Sequence, residues 1–109
     1  MKYLIAIIQP DRMEDVLNEL DKSLIHYATV THVLGRGRQK GIAAVYRSHK
    51  EVGNLLRKTK IEIALPDDEI QAACEAITRV ARTGNIGDGK LFILDLEESI
   101  RIRTSEKTW

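Results

Sequence analysis

At 109 residues the chain has the length of one domain, residues 1–109, and a chain of this size buries roughly two-thirds of its unfolded surface, enough for an independent core. Hydrophobic residues make up 43% and charged residues 30%, with 17 basic side chains against 16 acidic ones, so net charge does not draw the chain toward nucleic acid or a membrane. A single cysteine, Cys74, excludes a disulfide framework and fits a reducing cytoplasm, and the apolar run before Pro10 is too short to span a membrane.

The first third of the chain predicts a strand, a helix and a second strand. Residues 3 to 8 form a short apolar run that ends before a proline, which is typical of a buried strand. A helix is predicted over 11 to 23 because apolar residues recur at helical spacing, and Asp11 with Glu14 matches a capping box. Residues 27 to 36 are rich in β-branched side chains and end at glycines, which predicts the second strand.

The second half repeats this order. From residue 59 the alternation is strict and predicts a strand with one apolar face, formed by Thr59, Ile61, Ile63 and Leu65. A helix over 67 to 82, a strand around 91 to 95 and an alternating piece over 100 to 103 follow. The order βαββαβ predicts an α+β, ferredoxin-like split βαβ fold with two helices on one face of an antiparallel sheet. Its other face would carry many apolar residues, so we expect self-association.

A long, basic and glycine-punctuated segment, residues 37 to 56, separates the second and third strands. Loops longer than about a dozen residues are uncommon in compact domains and are usually functional. Residues 42 to 46 are apolar enough to pair as a hairpin, and a solvated loop without a role is the alternative. We expect a functional loop.

Residues 83 to 90, with the sequence TGNIGDGK, combine glycines with a lysine. The spacing of Gly84, Gly89 and Lys90 matches a P-loop, but Leu91 stands where that motif needs a hydroxyl, and the order of helix and strand is reversed. A P-loop ATPase is therefore not expected. The glycines and the lysine still predict a cradle for phosphate, because bare backbone N–H groups bind its oxygens. The alternative is a helix stop at Gly84 followed by a tight turn.

Several motifs that follow one another in order carry a family resemblance. They are GRGRQKG at 35 to 41, VYR at 45 to 47, KTKIEI at 58 to 63, ARTGNIGDGK at 81 to 90 and IRIRT at 100 to 104. Through them, and without gaps over essentially the whole chain, the sequence resembles the PII nitrogen-regulatory signal-transduction proteins. The resemblance implies a cytoplasmic homotrimer that senses ATP and ADP and regulates a partner protein, rather than an enzyme.

The resemblance also implies that ATP or ADP binds competitively in each cleft between neighbouring subunits. The phosphates would be held by Gly87, Asp88, Gly89 and Lys90 together with Arg38, Arg101 and Arg103. The adenosine end would be lined by Thr29, Gly35, Gly37, Glu62 and Ala64. The residues themselves agree, because alternation places Arg101 and Arg103 on one strand face, and a polyphosphate needs such cations. A solvated edge strand is the alternative for these two arginines.

In similar proteins 2-oxoglutarate joins Mg²⁺ and ATP at the base of the long loop. Gln39 would complete the magnesium shell, and Lys58 would meet a carboxylate of the oxoacid. Backbone contacts would come from Gly37, Gln39, Lys40 and Gly87. Without the resemblance, Lys58 is interpreted as an ordinary lysine on a strand surface. The alternative function is a nucleotide sensor with a different second effector, which controls a transport or metabolic system outside nitrogen metabolism.

Loop 37–56 would bind the partner, an ammonium or other transporter or a metabolic enzyme, with Arg47 and Glu51 among its contacts. Glu51 stands where many members of the family carry a modifiable tyrosine, and His49 stands where some carry a phosphorylated serine. Covalent control is therefore not expected, and the chain resembles a divergent subgroup. Ligand occupancy would instead select among loop conformations.

Three other functions fit the residues less well. An enzyme that turns over ATP would need a positioned base and metal carboxylates, and only Asp88 lies in the predicted cradle. An RNA-binding sheet would need clustered aromatic residues, and the chain has one Phe and three Tyr that do not cluster. A metal-binding trimer would need a ligand spacing that is missing from His26, His32 and His49.

Overall fold

The computed structural model describes residues 1–36 and 55–108. Its antiparallel sheet has four strands in the order β2-β3-β1-β4, where the strands are β1 Lys2–Ile8, β2 Thr29–Arg36, β3 Leu55–Leu65 and β4 Gly89–Asp95. The α-helices are α1 Met13–Lys22 and α2 Ile70–Ala81. This order confirms the predicted α+β, ferredoxin-like fold. Among the described residues, no helix has the length and apolar character needed to cross a membrane.

One face of the sheet packs against both helices and forms the core. The predicted alternation of β3 is confirmed, because Thr59, Ile61, Ile63 and Leu65 are all buried. The other buried core residues come from β1 and the helices, and they include Leu4, Ala6, Ile8, Val16, Leu20, Ala73 and Ile77. Fully burying a large aliphatic side chain stabilises the fold by about 1.5–3 kcal/mol, so this layer supplies most of the driving force for folding.

The opposite face, called here the open face, carries an apolar half and a charged half. The strand register places Ile5 of β1 beside Phe92 of β4, and both side chains point away from the helices. Phe92 and Leu94 are 47% and 48% exposed. The neighbouring β3 contributes Lys58, Lys60 and Glu62 to the same face. The expected apolar surface therefore exists, on β1 and β4.

Short 3-10 turns precede both helices, at Pro10–Arg12 and Asp67–Glu69. The predicted capping box of Asp11 and Glu14 is wrong, because the N-cap of α1 makes no side-chain hydrogen bond. The proline begins a turn that is closed by the backbone N–H of Arg12 donating to Gln9 over 3.0 Å, so Asp11 lies inside that turn. Its carboxylate contributes only charge near the helix start.

The segment between β2 and β3 is shorter than predicted. Leu55 and Leu56 belong to β3 and pair with Arg36 and Gly35, because β2 continues far enough to offer them backbone partners. The predicted hairpin over 42 to 46 lies outside the described residues. So do six of the predicted functional residues, namely Gly37, Arg38, Gln39, Lys40, Arg47 and Glu51.

The predicted strand over 100 to 103 is wrong. Only Ser99–Ile100, here β5, is extended, and it pairs with β6 Lys107–Thr108 in a separate two-stranded sheet. A turn intervenes, in which the backbone N–H of Ser105 donates to the Arg101 carbonyl over 2.7 Å. Ser105 adopts a left-handed φ of 62° that reverses the chain. Arg101 and Arg103 therefore do not share a strand face.

Candidate functional site

The loop between α2 and β4 is organised around one carboxylate. Asp88 accepts hydrogen bonds from the backbone N–H groups of Thr83, at 2.7 Å, and Gly84, at 2.9 Å. The Thr83 hydroxyl also donates to it. These bonds, the hydroxyl first, hold the pKa of Asp88 below its usual range. The carboxylate therefore closes residues 83 to 88 into a preformed turn.

Glycine is required where this loop joins the sheet. Gly87 and Gly89 adopt φ angles of 103° and 113°, which side chains of L-residues rarely adopt. A Cβ atom on Gly89 would lie 1.8 Å from the carbonyl oxygen of Ile7, so the loop packs directly on β1. The alternative of a helix stop at Gly84 is wrong, because α2 ends at Ala81. The glycines serve the loop and its junction with β4, and none of them ends the helix.

A cavity of about 450 Å³, called here the loop cleft, lies between this loop and the ends of β2 and β3. Predicted nucleotide residues meet there from two separate parts of the chain, residue 35 and residues 87–90, and the predicted 2-oxoglutarate residue Lys58 joins them. The lining residues are Ile7, Gly35, Arg36, Leu56, Lys58, Ile86, Gly87, Gly89, Lys90 and Phe92. Three of them are cationic, and the loop backbone lies beside them, which makes the cleft suited to an anion.

Lys58 is buried, with 9% of its surface exposed, so its interpretation as an ordinary surface lysine is wrong. Its Nζ donates to the carbonyl oxygen of Gly87 over 2.5 Å. Gln9, which follows β1, donates to the same oxygen over 2.8 Å. Among the described residues, no carboxylate lies within ion-pairing distance of the Lys58 ammonium group. A buried ammonium group whose contact is a neutral carbonyl is suited to receive an anion.

A second cavity, of about 640 Å³ and called here the Glu62 cleft, brings together Thr29, Glu62, Ala64 and Arg101. The Tyr3 hydroxyl donates to a carboxylate oxygen of Glu62 over 2.7 Å. This bond, with burial as a smaller cause, raises the pKa of Tyr3. The sequence analysis did not predict the aromatic lining by Tyr3, His26 and Tyr27. A signal existed for Tyr3, since alternation along β1 puts it on the open face.

The two clefts lie at opposite ends of the open face. Thr29 pairs with Glu62 at one end of the β2–β3 ladder, and Gly35 pairs with Leu56 at the other. Six residues of strand separate these ends by roughly 20 Å. One copy of the chain therefore holds the predicted nucleotide residues in two groups. Gly35, which was expected at the adenosine end, lies in the loop cleft instead. Lys90 belongs to the first group and Arg101 to the second, while Arg103 lies exposed in the turn after β5.

Two remaining features of the sequence have clear structural outcomes. Cys74 is half-buried against the core, and burial raises the pKa of its thiol, in keeping with its interpretation as a small apolar residue. Within residues 1–36 and 55–108, no three His, Cys, Asp or Glu side chains lie close enough together to hold a metal ion. The predicted magnesium contact, Gln39, lies outside this part of the chain.

Comparison with known proteins assigns the family. A family model described as nitrogen regulatory protein P-II matches residues 1–106. The chain is 48% identical over 106 residues to nitrogen regulatory protein P-II 2 of Methanothermobacter thermautotrophicus, which covers 97% of this chain and 92% of the relative. It is 46% identical to nitrogen regulatory protein P-II of Bradyrhizobium diazoefficiens, with 97% and 95% covered, and 46% identical to P-II 1 of Escherichia coli, with 98% and 96% covered. The chain belongs to the P-II family of nitrogen regulatory proteins.

Proposed function

We propose that this protein is a P-II signal-transduction protein that binds ATP or ADP between neighbouring copies of itself and transmits the ligand state to a partner protein. The observation that carries the proposal is the division of the nucleotide residues between two clefts at opposite ends of one subunit. Each cleft alone offers half of a nucleotide site. A neighbouring copy that presents its Glu62 cleft to the loop cleft completes the site.

The loop cleft is the phosphate half. Gly87 and Gly89 have no side chains of their own, so the backbone N–H groups of the loop can approach phosphate oxygens closely. Lys90 adds a charge at the start of β4, where its register partner is Ile7. The Asp88 carboxylate is occupied by Thr83 and Gly84, which limits its repulsion of a phosphate. Preformed N–H groups and cations suit a polyphosphate.

The Glu62 cleft is the adenosine half. Thr29 and Glu62 provide polar groups, Ala64 leaves room for a flat base, and Arg101 brings a cation to the mouth of the cleft. Two different surfaces of the chain then meet at each contact. Such a heterologous contact gives a ring when the rotation between copies closes, and the homotrimer that we propose is such a ring. The apolar open face on β1 and β4 would be covered in that ring.

The second effector that we propose is 2-oxoglutarate. Its carboxylate would give the buried Lys58 ammonium a charge-assisted partner in place of the neutral Gly87 carbonyl. Gln39 would be the protein contact of Mg²⁺, which would supply positive charge beside the phosphates and the oxoacid. Occupancy of the loop cleft would then select conformations of residues 37–54, because β2 and β3 lead from the cleft into that segment. The loop would bind the partner, and a cytoplasmic location is proposed with it.

Calorimetry tests the proposal directly. Titrations of wild-type protein with ATP and with ADP should each saturate at one site per subunit, and each nucleotide should displace the other. Lys90→Ala should weaken ATP binding more than tenfold, since loss of a charge-assisted contact costs about 1.5–3 kcal/mol. Lys22→Ala is the matched control, because Lys22 lies in α1 outside both clefts. Lack of nucleotide binding by the wild type would overturn the proposal.

The oxoacid is tested separately. Binding of 2-oxoglutarate should require Mg²⁺ and ATP, and Lys58→Met should abolish it while leaving most of the ADP affinity. If 2-oxoglutarate does not bind while ATP and ADP do, the protein is a nucleotide sensor with a different second effector. Equally strong oxoacid binding without nucleotide would contradict the shared magnesium.

A further inference from the structure

The carbonyl oxygen of Gly87 accepts two side-chain hydrogen bonds, from Gln9 at 2.8 Å and from Lys58 at 2.5 Å. The two donors come from different elements, the end of β1 and the middle of β3. They converge on the residue that precedes Asp88, at a φ of 103°. Both contacts are partly buried, so water replaces neither donor freely.

We propose that Gln9 and Lys58 form a redundant clamp on the phosphate loop, and that Gln9 is the positioning residue that keeps Gly87 in place when Lys58 turns to an anionic effector. This inference rests on the proposed function and adds a means of coupling to it. Gly87 belongs to the loop that would hold the nucleotide phosphates. Its second donor is the lysine that would bind the oxoacid. The two ligands therefore act on one backbone carbonyl.

The chemistry of the two donors divides their roles. Lys58 carries a charge and gains a stronger partner when a carboxylate enters the loop cleft. Gln9 is neutral and gains much less from an anion, so it stays on the carbonyl. The carbonyl oxygen has two lone pairs and keeps one donor after Lys58 leaves. Without Gln9, the same movement of Lys58 would leave a partly buried carbonyl with no donor, which is costly.

A second contact on the same loop makes the clamp effective. Gly89 lies against the backbone of Ile7 so closely that no Cβ fits between them. The loop is therefore attached to β1 at Gly89 and, through Gln9, at Gly87 as well. Among the described residues, release at Gly87 would leave the segment from Gly84 to Gly87 held by the Asp88 hydrogen bonds and by the Asn85 N–H donating to the Thr83 hydroxyl over 3.2 Å.

A double-mutant cycle on ATP affinity, measured by calorimetry without oxoacid, tests the redundancy. Gln9→Leu and Lys58→Met each leave one donor on Gly87, and the double variant leaves none. Gln9→Leu should weaken ATP binding less than threefold in the wild-type background and more than tenfold in the Lys58→Met background, because neighbours that share a partner are not additive. Gln9→Lys, which keeps a donor, should restore the affinity in that background.

The outcomes separate this inference from the proposed function. Additive effects in a chain that binds ATP normally overturn the clamp and leave the nucleotide site standing, whereas loss of ATP binding by the wild type overturns both. Gln71→Leu is the matched control, because Gln71 lies in α2 and bonds only to Glu75 among the described residues. It should have no effect in either background.

Hydrogen exchange in the single variant gives a second test that does not need the double variant to fold. With Mg²⁺ and ATP bound, addition of 2-oxoglutarate should speed exchange of the amides of residues 84 to 88 in Gln9→Leu but not in the wild type. The enhancement of ATP affinity by 2-oxoglutarate should also shrink at least fivefold in that variant. Equal exchange and equal enhancement in the two proteins would overturn the coupling role of Gln9.

Discussion

Asp88 places a negative charge in a loop that is proposed to hold phosphate. Its carboxylate turns back onto Thr83 and Gly84, and these hydrogen bonds hold its pKa below the usual range. The carboxylate is therefore ionised at neutral pH, and it serves the loop as an internal acceptor. In the proposed nucleotide site it would shape the loop, in addition to the direct contact that the family resemblance implies.

Replacing this carboxylate should loosen the phosphate loop. In Asp88→Ala the N–H groups of Thr83 and Gly84 lose their acceptor, so we expect ATP affinity to fall about tenfold. Asp68→Ala is a suitable control, because Asp68 is exposed in the turn before α2 and has the same charge. Calorimetric titration of the two variants measures the difference. Equal ATP affinity of the Asp88→Ala and Asp68→Ala variants would mean that the glycines alone determine the shape of the loop.

The Asp88 carboxylate also makes the stability of the fold depend on pH, and the sign of this dependence follows from its lowered pKa. The pKa of an aspartate in the unfolded chain is about 3.9. A carboxyl group whose pKa is lower in the folded state stabilises the fold fully at pH values above the unfolded-state pKa. It loses that contribution as the pH falls through the folded-state pKa. The amide protons of Thr83 and Gly84 should therefore titrate by NMR with a midpoint below about 3.9. In Asp88→Asn this titration should disappear. A midpoint above that value would contradict the hydrogen-bonded carboxylate.

At Gly89 the backbone of β1 leaves no space for a side chain. Alanine there would put a Cβ 1.8 Å from the Ile7 carbonyl oxygen, at a φ of 113° that alanine rarely adopts. We expect Gly89→Ala to displace the start of β4 from β1 and lower the free energy of unfolding by about 1–3 kcal/mol, a cost typical of backbone strain. Thermal unfolding measures this effect. Gly84→Ala is the comparison, because a Cβ at Gly84 meets no atom within 4 Å and only its φ of 90° opposes the change.

At the level of elements, the sequence predicts what local patterns determine. Strict alternation from Thr59 to Leu65 identifies β3 and its buried face, and the helical spacing of Val16 and Leu20 identifies α1. Both signals come from residues that pack on the same core layer. The order of these elements leaves few arrangements of a sheet with two helices, so the fold class follows from the sequence.

The elements that were predicted wrongly depend on contacts outside their own pattern. Ile100 to Arg103 alternates as a strand would, yet a turn forms there because Arg101 and Glu106 pair through their backbones and Ser105 adopts a left-handed φ. Ile102 is 97% exposed, so packing against the described residues does not stabilise a strand at this position. Local periodicity does not say whether a strand has a neighbour to pair with.

In the candidate site, too, some residues are recognised from local patterns and others only from contacts between distant segments. The glycines and Lys90 are recognised from their spacing, but the burial of Lys58 and its contact with Gly87 require two segments 29 residues apart to meet. Gln9 has no signal of its own and becomes visible only at the end of β1, beside the loop. The distance between the two clefts follows from the β2–β3 register, which was not predicted from the sequence.

At the scale of the whole molecule, one copy of the chain exposes its last hairpin and large apolar side chains near it. The β5–β6 hairpin forms its own two-stranded sheet, and such a hairpin is marginally stable at best without further packing. Beside it, Tyr27 and Ile102 are 86% and 97% exposed. Arg101, which directly follows β5 at the turn of this hairpin, lines the Glu62 cleft. A neighbouring copy that packs here would cover the hairpin and bring Arg101 to a nucleotide held by another subunit's loop.

A mixing experiment distinguishes a shared site from a site within one chain. As pure oligomers, Lys90→Ala and Arg101→Ala should each bind ATP more than tenfold more weakly than wild type, because each removes one cation from every site. In oligomers co-expressed from both variants, a site between subunits is intact wherever an Arg101→Ala chain supplies the loop and a Lys90→Ala chain supplies the Glu62 cleft. Random assembly should therefore restore wild-type affinity at about a quarter of the sites in a closed ring.

A mixture of the double variant with wild type tests the position of the site a second time. When the double variant Lys90→Ala/Arg101→Ala assembles with an equal amount of wild type, a shared site again needs two wild-type chains, so about a quarter of the sites should bind ATP. A site contained in one chain would instead survive in about half of the sites in this mixture and in none of the first. Calorimetric stoichiometry separates these values. Because the two clefts lie at opposite ends of the open face, we expect a quarter in both mixtures.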